Sequence, residues 1–339
     1  MTARPRVVVR TDAGAGIGLG HLRRCVALAK ALRAAAADVC FLVSGPDGAL
    51  ADIGFEMRAV VSARDLADTL ALARASGART VVVDSYALDT AYLQALAEAG
   101  CRVIAIDDPG ERQLPVDLVV NPSARPGRPR YRGAAHTRLL LGPRYAMLQP
   151  EFAERVDRRP GDPVRRVLLT VGGGDPAGFT AGLARAGALA LDGVRLDVVV
   201  GPWFAGVAEL RALAGGSGGA IVVHEQPRDM RALMLAAGLA ISGGGQTTFE
   251  LAATGTPTVA IRFADNQTLT LETLAEAGTL IQAGDAGDPA LADAVAAAVE
   301  RLIKDGDRRL EMSERARAAV DGQGAARVAR EILALQAAA

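Results

Sequence analysis

Cysteine is scarce in this sequence. There are three residues, Cys25, Cys40 and Cys101, in a chain of 339. None forms a C-x-x-C pair, so the spacing indicates neither a disulfide framework nor a cysteine-built metal site. Cys25 and Cys40 fall in apolar-patterned segments, the usual setting of a buried free thiol. The odd count and the lack of a secretory leader point to a reducing compartment, and the expected location is cytoplasmic. Excess charge is also missing, since 38 Lys+Arg balance 38 Asp+Glu. A neutral chain carries no general electrostatic argument for nucleic acid. No uncharged apolar run reaches the ~20 residues that span a bilayer, so no membrane insertion is expected. The stretch from Met1 to Arg10 is a charged lead-in and a short apolar run, too short for a signal h-region.

What the chain does have is hydrophobic content, 50% of its residues, enough for two cores. At roughly 100–200 residues per domain its length predicts two domains. Short apolar runs alternate with longer amphipathic segments. Strands are predicted at 7–10, 39–43, 57–61, 80–84, 102–106 and 118–120, with helices at 21–36, 65–75 and 90–99. Such alternation predicts a parallel sheet with helices on both faces. Residues 121–163 then break the pattern with seven prolines and many arginines, and they read as a solvated connector with one short strand at 138–141. The alternation restarts with strands at 166–171, 195–200, 220–223, 239–242 and 256–261, and helices at 177–191 and 247–254. Residues 291–339 read as helix interrupted near Asp305 and Gly322. The predicted fold class is therefore α/β, with two doubly wound Rossmann-like domains facing across a cleft: residues 1–145, then 146–339. Ligands of such sheets bind at the C-terminal ends of the strands.

The first predicted strand leads through Thr11 and Asp12 to Gly14-Ala15-Gly16-Ile17-Gly18-Leu19-Gly20-His21 and a helix. A dinucleotide fingerprint needs G-x-G-x-x-G, and glycines at every second position do not fit it. Alternating glycines instead allow close backbone approach to a bulky ligand and positive φ. His21 falls at the helix start, where the positive end of the helix dipole, together with Arg23 and Arg24, favours a neutral imidazole. That makes His21 the candidate general base. His136 and His224 read as surface or structural residues.

In the second half, Gly172-Gly173-Gly174-Asp175 follows a strand and precedes a helix; it is either a ligand-approach loop or a tight turn. Ser242-Gly243-Gly244-Gly245-Gln246-Thr247-Thr248-Phe249-Glu250 is more informative. Three glycines and two threonines at a helix start make an anion cradle for a diphosphate. No G-K-[ST] follows, so it is not a Walker loop. Glu250 suits two ribose hydroxyls, or is an acid favoured by the helix dipole. Ala264-Asp265-Asn266-Gln267 brings amides to a strand end, suited to sugar hydroxyls, unless Asp265 simply caps a helix.

Together these segments resemble the PseG enzymes, UDP-2,4-diacetamido-2,4,6-trideoxy-β-L-altropyranose hydrolases of pseudaminic acid biosynthesis, and the similar spore-coat protein SpsG. The resemblance rests first on Arg10-Thr11-Asp12 and Ile17-Gly18-Leu19-Gly20-His21-Leu22-Arg23-Arg24. It continues through Val83-Asp84-Ser85-Tyr86, Ile106-Asp107-Asp108, Asp117–Asn121 and Leu141–Leu148. The loops of the second half are similar to the nucleotide half of MurG-type glycosyltransferases. The resemblance implies a GT-B fold, metal-independent chemistry without a cofactor, and UDP as leaving group. It implies that His21 is catalytic. Asp12, Gly18, Gly20, Arg24, Tyr86, Asn266 and Gln267 are implied on the sugar side, and Gly173, Gly174, Gly244, Gly245, Gln246, Thr247, Thr248 and Glu250 on the UDP side. Two positions depart from the pattern: Ser85 stands where a histidine is expected, and Gln149 where a basic residue is expected. No acetyltransferase domain is expected after Ala339.

The expected reaction is attack of water on the anomeric carbon of a UDP-sugar, with His21 taking the proton and helix N–H groups stabilising the leaving UDP. Asp107 and Asp108 read as structural or hydroxyl-binding rather than as a metal site. One rival is a glycosyltransferase that uses an acceptor hydroxyl in place of water. Another is a non-catalytic sugar-nucleotide sensor. The sequence carries no sign of oligomeric state.

Overall fold

The computed structural model describes residues 4–14, 16–45, 53–60, 62–110, 114–125, 131, 136–175, 178–190 and 193–337. The chain divides into two compact units, Met1–Pro150 with Gly322–Ala339, and Glu151–Asp321.

In the first unit the order is β1 (Arg6–Asp12), α1 (Gly20–Ala34), β2 (Asp38–Ser44), β3 (Glu56–Ala59), α2 (Asp65–Ser76), β4 (Thr80–Asp84), α3 (Thr90–Glu98), β5 (Arg102–Ile106), β6 (Leu118–Asn121) and β7 (Arg138–Leu141). The seven strands form one sheet in the order β3-β2-β1-β4-β5-β6-β7. Every pairing is parallel; Val8, for example, lies between Cys40 of β2 and Val81 of β4. A two-sided parallel sheet demands strands that are apolar throughout, and β4 is buried at all five positions. Side chains alternate across the sheet. Val7 and Val9 pack with Leu28 and Leu32 of α1 on one face. Val8 packs with Leu72, Leu93 and Leu96 of α2 and α3 on the other. The alanine-rich stretch 34–37 is the end of α1, where Ala36 takes a positive φ of 63°.

The second unit repeats the plan: β8 (Arg166–Thr170), α4 (Phe179–Ala190), β9 (Arg195–Val200), α5 (Val207–Gly216), β10 (Ile221–Glu225), α6 (Met230–Ala236), β11 (Leu239–Gly243), α7 (Gln246–Ala253), β12 (Thr258–Arg262), α8 (Thr268–Glu276), β13 (Leu280–Asp285), α9 (Leu291–Lys304) and α10 (Gly306–Ala319). Its sheet runs β10-β9-β8-β11-β12-β13, again parallel. The apolar stripe of α9, Leu291, Val295, Ala298, Val299 and Leu302, has helical spacing and joins this core. In both sheets the chain reverses its winding at the first strand, β1 or β8, which is the position where open α/β sheets leave a crevice for ligands.

One expected boundary is corrected. The last helix, α11 (Gly324–Ala337), belongs to the first unit and not to the second. Its Val328 and Ile332 complete the core against Leu28 and Leu32 of α1. Gln336 donates to the Thr80 hydroxyl at 2.7 Å, and Arg138 pairs with Glu331 at 2.7 Å.

The connector also differs from a merely solvated link. Ala146, Met147 and Leu148 are buried. Arg158 donates to the Thr256 hydroxyl at 2.6 Å and to the carbonyl of Ala237, at the end of α6. Burial and the nearby Arg317 push its guanidinium down to about 10. Arg309 of α10 is 1% exposed and donates to the carbonyls of Pro160, Gly161, Asp162, Leu302 and Ile303. Such a side chain is worth keeping only for its hydrogen bonds. Replacing it with methionine leaves those carbonyls without their donor, at a cost of about 3 kcal/mol. Urea denaturation of Arg309→Met is expected to show the loss as a lower midpoint.

Candidate functional site

The site in the first unit grows from the C-terminal ends of β1, β4 and β5. After β1, Gly14 and Gly18 form a bridge, with Gly18 N–H donating to the Gly14 carbonyl at 2.6 Å. The turn needs Gly18 at a φ of +84°, and it leaves Ile17 exposed at its tip. Ala15 lies outside the described residues. Helix α1 starts directly after the turn, without a side-chain cap, and His21 is its second residue.

His21 does not stand alone. Its Nδ1 lies 2.6 Å from Oδ1 of Asp84, the residue that ends β4. Asp84 is fully buried. Burial alone would raise its carboxyl, but the Arg24 guanidinium and the His21 ring outweigh burial and hold it well below the usual carboxylate range. Asp84 is thus an acceptor, and the hydrogen of His21 sits on Nδ1. In the neutral ring this tautomer leaves the lone pair on Nε2. The ring is 7% exposed, and Tyr86 packs edge-on against it with centroids 4.5 Å apart.

Arg24, one helical turn on, faces the same group. Its Nε and Nη2 donate to the two Asp84 oxygens at 2.7 and 2.6 Å, and its Nη1 reaches Asp108 at 2.6 Å. Asp108 also accepts from the Tyr86 hydroxyl at 2.6 Å. The Cys25 thiol donates to Asp84 at 3.3 Å, and burial followed by that carboxylate pushes it well up. So the structure brings His21, Arg24 and Tyr86 together. Arg23, the other neighbouring cation expected to act on His21, is exposed. Asp12 is held elsewhere, by Arg10 at 2.6 Å, and Arg10 in turn pairs with Asp65. Asp107 accepts from Tyr131 and from Gly110 N–H.

The sequence motif that contains Asp84 assigns that residue no role, and Asp108 reads from sequence only as structural or hydroxyl-binding. A single carboxylate closing a buried valine strand was the available signal for Asp84, because a buried charge must be paired. The two positions that depart from the resemblance, Ser85 and Gln149, have local hydrogen-bond partners. Ser85 is buried, and its hydroxyl accepts from Ala87 N–H at 3.2 Å. Gln149 accepts from Lys30 at 2.7 Å and donates to the Arg23 carbonyl at 3.0 Å. A cation at 149 would repel Lys30. His224 pairs with Asp197 within its own sheet, at 2.8 Å, and His136 is exposed.

The second unit has its own loop cluster at the ends of β8, β11 and β12. Gly173 accepts from Trp203 N–H at 3.1 Å, and Gly174 bridges to Trp203. Asp175 is a cap for α4, accepting from Phe179 and Thr180 N–H. Gly245 precedes α7 in an extended conformation, and α7 has no side-chain cap. Gly245, Gln246 and Thr247 are partly exposed, whereas Gly244, Thr248 and Glu250 are buried. The Thr248 hydroxyl donates back to the Gly245 carbonyl at 2.6 Å, so its proton is committed to the turn. Gln267 accepts from Phe263 N–H at 2.9 Å, Asn266 is exposed, and the Asp265 side chain projects into solvent without capping a helix.

Gly244 and Gln267 meet. A Cβ on Gly244 would lie 2.7 Å from Leu271 Cδ1 and 3.1 Å from Gln267 Cβ. Leu271 is fully buried and has little room to yield. Gly244→Ala is therefore expected to lose about 1–3 kcal/mol of stability by overpacking. Thermal melting checks this.

No protein-family model matches the chain. It is 24% identical over 267 residues to the uncharacterized protein MJ1062 of Methanocaldococcus jannaschii, covering 76% of this chain and 55% of that protein. It is 26% identical over 235 residues to the spore coat polysaccharide biosynthesis protein SpsG of Bacillus subtilis, covering 68% and 69%. The match thus spans about half the length of the archaeal relative. Among solved structures, MurG of Acinetobacter baumannii superimposes with a TM-score of 0.65 at 16% identity over 98% of this chain and 99% of that one. The spinosyn rhamnosyltransferase SpnG gives 0.63 at 19% over 97% and 100%. UGT2 of Phytolacca americana gives 0.67 at 14% over the full length of both. The chain has the GT-B glycosyltransferase-like fold, built of two parallel-sheet Rossmann-like units, and it is distantly related in sequence to SpsG.

Proposed function

We propose that the chain is a UDP-sugar hydrolase that releases UDP and free sugar from a diacetamido-trideoxy sugar nucleotide, as in pseudaminic-acid-type biosynthesis. The observation that carries this reading is the His21–Asp84 pair at 2.6 Å on the strand ends of the first unit. It supplies a base with a fixed tautomer, and Asp84 stabilises the imidazolium that forms as His21 Nε2 takes a proton from water. The uncapped start of α7, with Gly245, Gln246 and Thr247 at the surface, supports diphosphate binding on the second unit. There, N–H donors stabilise charge growing on the leaving phosphate. A diphosphate leaves readily, so one base suffices, unlike the paired carboxylates of most glycosidases. The small exposure of His21 and the Tyr86 ring packed on it support a nucleophile as small as water.

A second reading shares every residue named above. The likeness in fold to MurG, SpnG and UGT2 favours a transferase in which His21 deprotonates an acceptor hydroxyl. Incubating the full chain with UDP-2,4-diacetamido-2,4,6-trideoxy-β-L-altropyranose and with UDP-N-acetylglucosamine, no acceptor present, separates the two. Multiple-turnover UDP release from the first is the expected result. Release from neither donor, with UDP still bound, rejects the hydrolase.

A further inference from the structure

Asp84 receives more donors than orienting an imidazole requires. Oδ1 takes both His21 Nδ1 and Arg24 Nη2, each at 2.6 Å, and Oδ2 takes Arg24 Nε and the Cys25 thiol. Arg24 continues to Asp108, Asp108 to the Tyr86 hydroxyl, and the Tyr86 ring returns to His21. The five side chains close a loop around the imidazole, and all but Tyr86 are buried.

We infer that Arg24 is a positioning residue that sets how strongly Asp84 draws a proton onto His21, and so the pH at which the ring becomes charged. The charges decide the sign. Two carboxylates and one guanidinium leave one net negative charge beside the ring. Arg24 shares Asp84 Oδ1 with the ring, and its Nη2 lies 3.3 Å from Nδ1. Without Arg24, two carboxylates lose their shared cation, which favours the charged ring. Without Asp108, the guanidinium is opposed by Asp84 alone and the ring gives up its proton more readily. The other polar groups of the cluster, the Cys25 thiol and the Tyr86 hydroxyl, are both pushed up by burial and by a carboxylate, and they stay neutral. At the end of β1, Asp12 is already paired with Arg10. An opposite or like charge this close moves a titration by about one to three pH units.

This inference rests on His21 as the base, but its test does not need turnover. The full chain has three histidines, so the Cε1–H resonance of His21 can be assigned by its absence in His21→Asn and titrated by NMR. Relative to wild type, the midpoint is expected to rise by about one to three pH units in Arg24→Met and to fall in Asp108→Asn. Arg24→Lys, which keeps a cation but not the fork, should rise less. A merely structural arginine changes the melting temperature and leaves the midpoint in place. Unmoved midpoints, or shifts of the same sign in the methionine and asparagine variants, overturn the inference. Should Arg24→Met fail to fold, Asp108→Asn and Arg24→Lys decide it in the same way. If His21→Asn keeps full UDP release, the base reading fails while the opposite shifts still stand.

Discussion

Replacing His21 with asparagine should lower the rate of UDP release by about 10²–10⁴-fold while leaving UDP affinity close to wild type. A positioned general base contributes rate factors of that order, and the residues assigned to UDP lie in the other unit. The amide cannot take a proton from water at Nε2, yet it can still donate to Asp84, so the fold should persist. Steady-state kinetics with the sugar nucleotide and calorimetric binding of UDP check the two halves separately. A variant that keeps a rate close to wild type shows that the histidine is not the base.

Asp84 should prove as important, for reasons both of chemistry and of stability. Asp84→Ala removes the acceptor shared by His21, Arg24 and Cys25. It leaves a buried guanidinium short of one carboxylate, and breaking a buried pair in this way costs about 3–5 kcal/mol. Asp84→Asn keeps the shape but can present a donor to Nδ1, which destabilises the productive tautomer; a rate loss of about 10²-fold or more is expected. The pH dependence follows from the direction of the carboxyl. In the folded chain it is held below its ordinary value, so the native state favours the ionised form. That contribution is complete above the unfolded value of about 3.9 and fades as the pH falls below it. Wild type should therefore lose stability below about pH 4 more steeply than Asp84→Asn. Denaturation curves collected from neutral to acid pH reveal the difference, and parallel curves argue against a strongly ionised Asp84.

Much of the fold was legible because hydrophobic periodicity reports burial. The central strands Thr80–Asp84, Arg102–Ile106 and Arg195–Val200 have the bounds that their apolar runs suggest. The final helices break at Asp305 and near Gly322, where a cap and a glycine interrupt the pattern. Elements without a strong pattern escaped notice. Strand β13 is an edge, partly exposed and opposite a register shift at Ala260/Ile261, so its residues mix polar and apolar. Helix α6 is only seven residues long. The site was legible in its residue types but not in its pairings. His21, Arg24 and Tyr86 stand out locally, yet what holds them comes from the ends of other strands, 60 positions away in the case of Asp84 and Arg24. No local signal specifies such a contact. Nor could the spacing show that the Thr248 hydroxyl turns back to its own loop, since a threonine at a helix start serves a ligand and a turn equally well.

The return of α11 to the first sheet has a consequence for how the protein is made. Residues 151–321 are contiguous and can fold as soon as they emerge from the ribosome, whereas the other unit is finished only by residues translated after them. Until Val328 and Ile332 arrive, Leu28 and Leu32 present an oily flank to water or to a chaperone. A stop codon or proteolytic cut after Asp321 would spare the later-encoded half and cripple the earlier one.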